Sequence, residues 1–446
     1  MKILFVIRSL QIFHYYESIV VALKARGHEV SLLFDKKWSS EEFSNDIKYP
    51  YQWTVEQNGN FRRRILLFLR EVRSWRRYLL IKGQSSFYAD RWLKYVSPKF
   101  RFLIKIFPFS KFFIKTKLFG NFLKSFELSS LPDEQIIDDI KKRAPDIVIA
   151  GPVCFRQSSA DLEYLKVAQK LKIPTVVPVM TWDTLTTKGL FHIKPDLLLV
   201  WNEAQVKEAE EHQGIKKENI KIIGAPFFDK WFKDYKPSVS REEFAKKHGF
   251  NSKYPIIAYL GSSENIAPDE RWLIKEIKSA LDNSEMEKIK NTQMIFRPHP
   301  ANYKAYKDFS LSGVFFQREG NLPKDSDAMQ DFYDLFYHCV AVISINTSGM
   351  VDAILAGKPV ISLERKEFQK TQIFAQHYKH MRDSDALYIT KTPEEFLLIL
   401  KKLISGNDSK KKEREKFIQT FIRPLGVDKS AGDAVVYEVE QLKNKR

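Results

Sequence analysis

The run Val340-Ala341-Val342-Ile343-Ser344-Ile345, followed at once by Asn346-Thr347-Ser348-Gly349, constrains this chain more than any other stretch. Apolar, mostly β-branched residues in an unbroken run suit a strand covered on both faces, the kind found in parallel sheets. The polar tetrad fits a helix N-cap, Gly357 fits that helix's stop, and Val360-Ile361 opens a second parallel strand. A helix starting at a strand's carboxyl end directs free N–H groups and positive dipole into the crevice where α/β sheets bind ligands. Thr347 and Ser348 add hydroxyl donors there, and the natural guest is a phosphate or diphosphate. An ordinary capped strand–helix–strand unit would carry the same residues, because Ser and Thr cap most helices.

The N-terminus follows a related plan. Ile3–Ile7 reads as a buried strand, Gln11 to Ser18 as a loop, and Val20, Leu23 and Ala25 as one helix face. Gly27 is then the turn into a strand over Val30–Phe34. This is the opening of a Rossmann-like half, but without the GxGxxG fingerprint, which argues against a dinucleotide redox site. Further strands fall at Pro145–Gly151 and Pro174–Val179, the second running into the polar loop Met180-Thr181-Trp182-Asp183-Thr184. Polar loops at strand ends are where α/β enzymes place chemistry. With 446 residues the chain has room for two or three domains, and Tyr235 to Phe250 reads as a linker.

Residues 61–126 differ in kind, with seventeen Lys and Arg against only Glu71 and Asp90, interleaved with aromatics. Ile65, Phe68, Val72, Trp75 and Leu79 recur at helical spacing, while Arg70, Arg73 and Arg77 fall on another face. A basic amphipathic helix of this composition suits an anionic membrane surface, with Arg70, Arg73, Arg76 and Arg77 carrying the attachment. The plainer alternative is an inserted helical hairpin packed on its domain with a solvated basic face. A nucleic-acid groove fits less well, since the apolar residues are too many and too bulky to be mostly stacking platforms.

The net charge of +18 calls for an anionic partner. Cys154 and Cys339, in apolar surroundings, read as reduced core residues of a cytosolic protein. The apolar run at the N-terminus is too short for a signal peptide, and no run is long enough for a spanning helix. No Cys/His cluster has metal spacing, and neither a metal nor a resident cofactor is expected.

Three strand-end loops of the second half share a character: Gly261-Ser262-Ser263, Arg297-Pro298-His299-Pro300 and Asn346-Thr347-Ser348-Gly349. In a parallel sheet all carboxyl ends lie on one edge, so the loops can converge. Hydroxyls, a guanidinium and an imidazole then suit a nucleotide diphosphate held without a metal. Arg297 and His299 between prolines could equally be a rigid turn. In the first half Asp183 is the first choice of general base, although a helix cap or a partner for Lys188 explains it as well. His14 and Glu17 are second choices, His14 being readily explained as a packed loop residue. Glu367 and Gln372 are candidates for ribose or sugar contacts, or else a surface helix start.

"ARGHEV", "APDIVIAG" and "DLLLVWNEAQ…IKIIGAPFFDKWF" resemble successive units of a GT-B glycosyltransferase N-domain, and "RPHP" with "NTSG…DAILAGKPVIS" resembles the donor site of GT-B transferases of bacterial surface-carbohydrate synthesis. The same motifs are similar to those of CDP-glycerol glycerophosphotransferases, sialyltransferases and UDP-GlcNAc 2-epimerases. The resemblance implies an α/β GT-B fold of two Rossmann-like parallel-sheet domains facing each other across a cleft. Residues 1–235 would be the acceptor domain with its basic insert at 61–126, and 236–428 the nucleotide-sugar domain. Residues 429–446 would form a helix crossing back to the first. It further implies a glycosyltransferase taking a sugar from a nucleotide-sugar to a glycan or lipid-linked acceptor. No retaining-type Glu-x7-Glu stands out, which favours inversion. The enzyme would be cytoplasmic and peripheral on the inner face of an anionic membrane, with no nucleic-acid partner. Glycerophosphotransferase, epimerase, and a non-catalytic basic module for membrane or RNA are the alternatives.

Overall fold

The computed structural model describes every residue except 58, 82–84, 108, 156–157, 318–325 and 445–446. The chain forms two compact units, one of Met1–Lys230 with Thr420–Arg446 and the other of Trp231–Gln419.

The first unit is built on seven parallel strands: β1 Lys2–Ile7, β2 Glu29–Phe34, β3 Tyr51–Trp53, β4 Ile147–Gly151, β5 Thr175–Pro178, β6 Leu197–Val200 and β7 Ile220–Ile222. Their order is β3-β2-β1-β4-β5-β6-β7. Ile3 to Ile7 and Ile147 to Gly151 are buried throughout, as strands with helices on both faces require. Helix α1, Glu17–Ala25, buries Ile19, Val20 and Leu23 against β1. The C-terminal helix Ala431–Asn444 lays Val435, Val436 and Val439 into that same core. Asp229 anchors its first turn, accepting from the Ala431 and Gly432 N–H groups and pairing with Arg423.

Among the described residues, the stretch 61–126 contributes to five helices, α2 Phe61–Leu80, α3 Ser86–Leu93, α4 Pro98–Ile106, α5 Ser110–Lys115 and α6 Lys117–Ser129. Asn60 caps α2, its side chain accepting from Arg63 N–H at 2.9 Å. The arginines expected to face lipid are turned inward instead. Arg70, 1% exposed, donates to both Glu127 oxygens at 2.7 Å and to Glu163 Oε1 at 2.6 Å. Arg73 donates to the His192 carbonyl, and Arg76 to the carbonyls of Ile114, Lys115 and Thr116. Arg77 donates to the carbonyls of Leu185 at 3.1 Å and Lys188 at 2.9 Å. Helical periodicity says which side chains share a face, not whether another element covers it. Here α6 and helix packing on the sheet cover the basic face of α2, so membrane attachment through these four arginines is corrected to a structural latch.

The second unit has six parallel strands: β8 Ile256–Leu260, β9 Gln293–Arg297, β10 Val314–Phe316, β11 Ala341–Ser344, β12 Val360–Leu363 and β13 Tyr388–Thr390. Their order is β10-β9-β8-β11-β12-β13. From β8 the chain runs outward to β10, then crosses back to β11 on β8's other side. The order therefore reverses between β8 and β11, and in the first unit between β1 and β4. Ligands of open α/β sheets bind beyond the strand carboxyl ends at such reversals. No described helix is long and apolar enough to cross a membrane.

Candidate functional site

In the second unit the three polar loops do meet. Gly261 N–H donates to the Arg297 carbonyl at 2.9 Å, joining the ends of β8 and β9. Asn346 N–H donates to Ser262 Oγ at 3.3 Å, joining the ends of β11 and β8. A Cβ on Gly261 would come within 3.2 Å of the His299 nitrogen, and one on Gly349 within 2.7 Å of Leu260 Cδ1. A side chain at Gly349 would force Leu260 to shift, and one at Gly261 would be tight against the next loop's backbone.

The candidates divide into scaffold and accessible groups. Ser262 is fully buried, and its N–H donates at 2.6 Å to Glu270, a carboxyl that burial pushes up to about 7. Asn346 is buried and donates to the Thr371 carbonyl at 3.1 Å. Gln372, expected at the ribose, is fully buried, and its amide nitrogen donates to the Ile345 carbonyl, Ser362 Oγ and the Leu363 carbonyl. These three side chains knot the loops together, which corrects the ligand roles expected of them. Ser263 and Thr347 are half-buried, and Ser348 and Glu367 are exposed. Ser348 does not cap its helix, and that helix, Gly349–Leu355, is only seven residues long. A macrodipole therefore contributes less than the sequence suggested.

Arg297 contributes more. Burial pulls its guanidinium down to about 10, and it lies 4.5 Å from the centroid of the Phe332 ring. Its hydrogen bond is to Gln317 Oε1 at 3.4 Å, and among the described residues no carboxylate lies within ion-pair distance. The nearby Asp352 carboxyl, which the sequence reading missed, is pushed up to about 7 by burial. His299 Nδ1 accepts from Ala301 N–H at 3.0 Å, which leaves the neutral ring's proton on Nε2 as a donor.

In the first unit, His14 and Glu17 follow β1, at the strand-order reversal, in the 3₁₀ turn Leu10–Tyr15 and at the start of α1. His14 packs its ring against Tyr15 and edge-on to Phe227, and burial lowers it to about 4, so it is a neutral imidazole at pH 7. Glu17 pairs with Lys230 at 2.7 Å. Asp183 lies after β5, one strand away from the reversal. Its carboxylate accepts from Thr181 Oγ1 at 2.7 Å and Thr187 Oγ1 at 2.6 Å and pairs with Lys188 at 3.0 Å. The helix it opens, α9, Thr184–Thr187 (after α7 Glu134–Arg143 and α8 Ala160–Lys170), is held by Arg77, by Tyr78 and by Trp92 Nε1 on the Thr187 carbonyl. Its contacts support the Lys188-pairing reading of Asp183; it stands at the N-cap position, but its side chain makes no cap hydrogen bond. Sequence reasoning also passed over Arg8, directly after β1, whose guanidinium lies 4.9 Å from the Trp38 ring centroid. A cation just past the first strand was the available signal. Among the described residues no three His, Cys, Asp or Glu side chains are grouped to hold a metal.

The family model for monogalactosyldiacylglycerol (MGDG) synthase matches residues 77–227. No curated protein matches the chain. The UDP-GlcNAc 2-epimerase of Methanocaldococcus jannaschii superposes with a TM-score of 0.56 at 14% identity, covering 99% of this chain and 100% of that one. The UDP-GlcNAc 2-epimerase of Neisseria meningitidis, solved bound to UDP-GlcNAc, gives 0.52 at 12%, covering 99% and 100%. The kitacinnamycin glycosyltransferase gives 0.53 at 8%, covering 99% and 98%. At these identities the likeness is one of fold, and the fold is GT-B.

Proposed function

We propose that this protein is a metal-independent, inverting glycosyltransferase that moves a sugar from a nucleotide-sugar to a membrane-associated acceptor in cell-envelope synthesis, working at the cytoplasmic face. The observation that carries the donor reading is Arg297. A desolvated guanidinium with no carboxylate partner among the described residues, at the end of β9 beside the reversal, is matched to an anion. Diphosphate oxygens would accept from Arg297 and His299 Nε2, with the Ser263, Thr347 and Ser348 hydroxyls at hand. The same donors would stabilise the charge that develops on the leaving diphosphate.

His14 becomes the preferred base. It stands at the reversal of the first sheet, whereas Asp183 is engaged by two threonines and a lysine. The acceptor hydroxyl gives its proton to His14 as its oxygen attacks the anomeric carbon. The bond to the diphosphate breaks, and configuration inverts. His14→Ala should lower turnover by about a hundredfold or more with nucleotide affinity kept, while Asp183→Asn should mainly loosen its loop. Full activity in His14→Ala together with loss in Asp183→Asn, both folded, would return the base to Asp183.

The match to the MGDG synthase model supports a sugar-transfer reading, and the epimerase likenesses over nearly the whole chain favour a second one. Titration with UDP, CDP, CMP and GDP tests the donor site, and absence of binding at millimolar concentration removes both. Conversion of UDP-GlcNAc to its 2-epimer without acceptor would select the epimerase.

A further inference from the structure

We propose that α4, α5 and α6 form a membrane-inserting surface for anionic phospholipid, with a headgroup site between α3, α4 and α5. Resting on the membrane-acceptor reading above, this assigns the docking to residues other than the α2 arginines. Twelve of the 23 large apolar side chains that stand exposed among the described residues lie between Tyr95 and Leu131. Phe109 is 85% exposed, Phe112 77% and Leu118 75%, with Phe102, Phe107 and Phe122 each more than half exposed. Exposed large apolar side chains concentrated in one stretch of chain mark interaction surfaces. Phe113, Phe119, Phe122 and Phe126 touch ring to ring, which holds the face in place.

Charge selects the occupant. Between residues 91 and 126 there are nine Lys and Arg and no Asp or Glu. A second copy of this chain would bring nine like charges against nine, so self-association through this face is opposed. An anionic bilayer offers both an apolar phase for the phenylalanines and negative charge for the lysines. A cavity of about 760 Å³ opens beside the aromatic tip, lined by Lys94, Arg101, Lys105 and Lys111 with Leu93 and Phe102. Four cations around an apolar wall fit a phosphodiester headgroup with the start of its acyl chains, and Asp90 is the one acid on the lining.

Cosedimentation of the full chain with vesicles tests the proposal. Vesicles containing phosphatidylglycerol should bind it, pure phosphatidylcholine should bind at least about tenfold less, and high salt should release only part. Phe109→Asp with Phe112→Asp should weaken binding by about tenfold or more. Lys105→Glu with Lys111→Glu should remove the preference for phosphatidylglycerol. UDP titration should be unchanged in both pairs, so loss of vesicle binding with intact nucleotide binding concerns this surface alone. Equal binding to both vesicle types, no binding to either, or wild-type binding by the Phe109/Phe112 pair would overturn the proposal. So would tight RNA binding that depends on the lysines and ignores the phenylalanines.

Discussion

Arg70 and Arg297 are both largely withdrawn from water, and they do opposite things. Arg70, in the middle of α2, meets Glu127 and Glu163, which hold its guanidinium well above the usual range and Glu127 well below the usual carboxylate range. Lys166 adds a fourth charge at 3.1 Å from Glu127. Arg297, at the end of β9, meets a ring, an amide and a carboxyl pushed towards neutrality, and burial pulls it down to about 10. The first arginine is complete within the fold; the second has no ion pair among the described residues, which is what the proposed anion site rests on. Residue type and depth do not distinguish structural from functional cations; the partner does.

The largest effect expected from this contrast is in stability. Arg70→Ala leaves Glu163 buried without its cation and Glu127 with only Lys166, and should cost about 3–5 kcal/mol, read as a lowered midpoint in urea or heat. Vesicle binding by the folded fraction should be untouched. A variant as stable as the parent that no longer binds vesicles would break the comparison and restore a lipid role to α2.

Arg297→Ala should do the reverse, weakening nucleotide binding by about 2 kcal/mol, roughly thirtyfold, with a midpoint within about 1 kcal/mol of the parent. Among the described residues Arg297 has no ion pair, and the neighbouring Asp352 is pushed towards neutrality, so little charge is stranded when the guanidinium is removed. Titration calorimetry beside a urea melt reads both. A large stability loss with unchanged affinity would place Arg297 in the same class as Arg70.

A smaller effect comes from pH. Asp352 is pushed up to about 7, so it is neutral below that value and negative above it. When neutral it no longer offsets the Arg297 charge, so an anionic ligand should bind more tightly as pH falls from 8 to 6. The change should be up to about 1 kcal/mol, measured with UDP-GlcNAc, whose diphosphate does not titrate in that range. Asp352→Asn should flatten the profile at its tight end. A profile unaffected by that substitution would mean the carboxyl does not act on the guanidinium.

The smallest effect sharpens the contrast from outside. Phe109→Asp and Phe112→Asp alter exposed side chains, so unfolding midpoints should move by no more than about 0.5 kcal/mol. A destabilisation comparable with that of Arg70→Ala would mean that the aromatic tip is packed within the fold.

Much of this was legible in the chain. The β-branched runs, their glycine stops and the polar loops after β8, β9 and β11 specify two parallel sheets and the convergence of those loops, because local periodicity and strand ends are properties of neighbouring residues. The "RPHP" turn also marked the end of a strand, and Arg297 is the last residue of β9. Tertiary structure alone decided the rest. It buried Gln372, Asn346 and Ser262 as loop braces, engaged Asp183 within its own turn, and turned the α2 arginines inward while leaving the aromatics of α4–α6 outside. Composition and spacing are the same for a covered face and a bare one. Which face is covered depends on elements distant in the chain, here Glu127 and Glu163, 57 and 93 residues from Arg70, and that pairing exists only once the fold has formed.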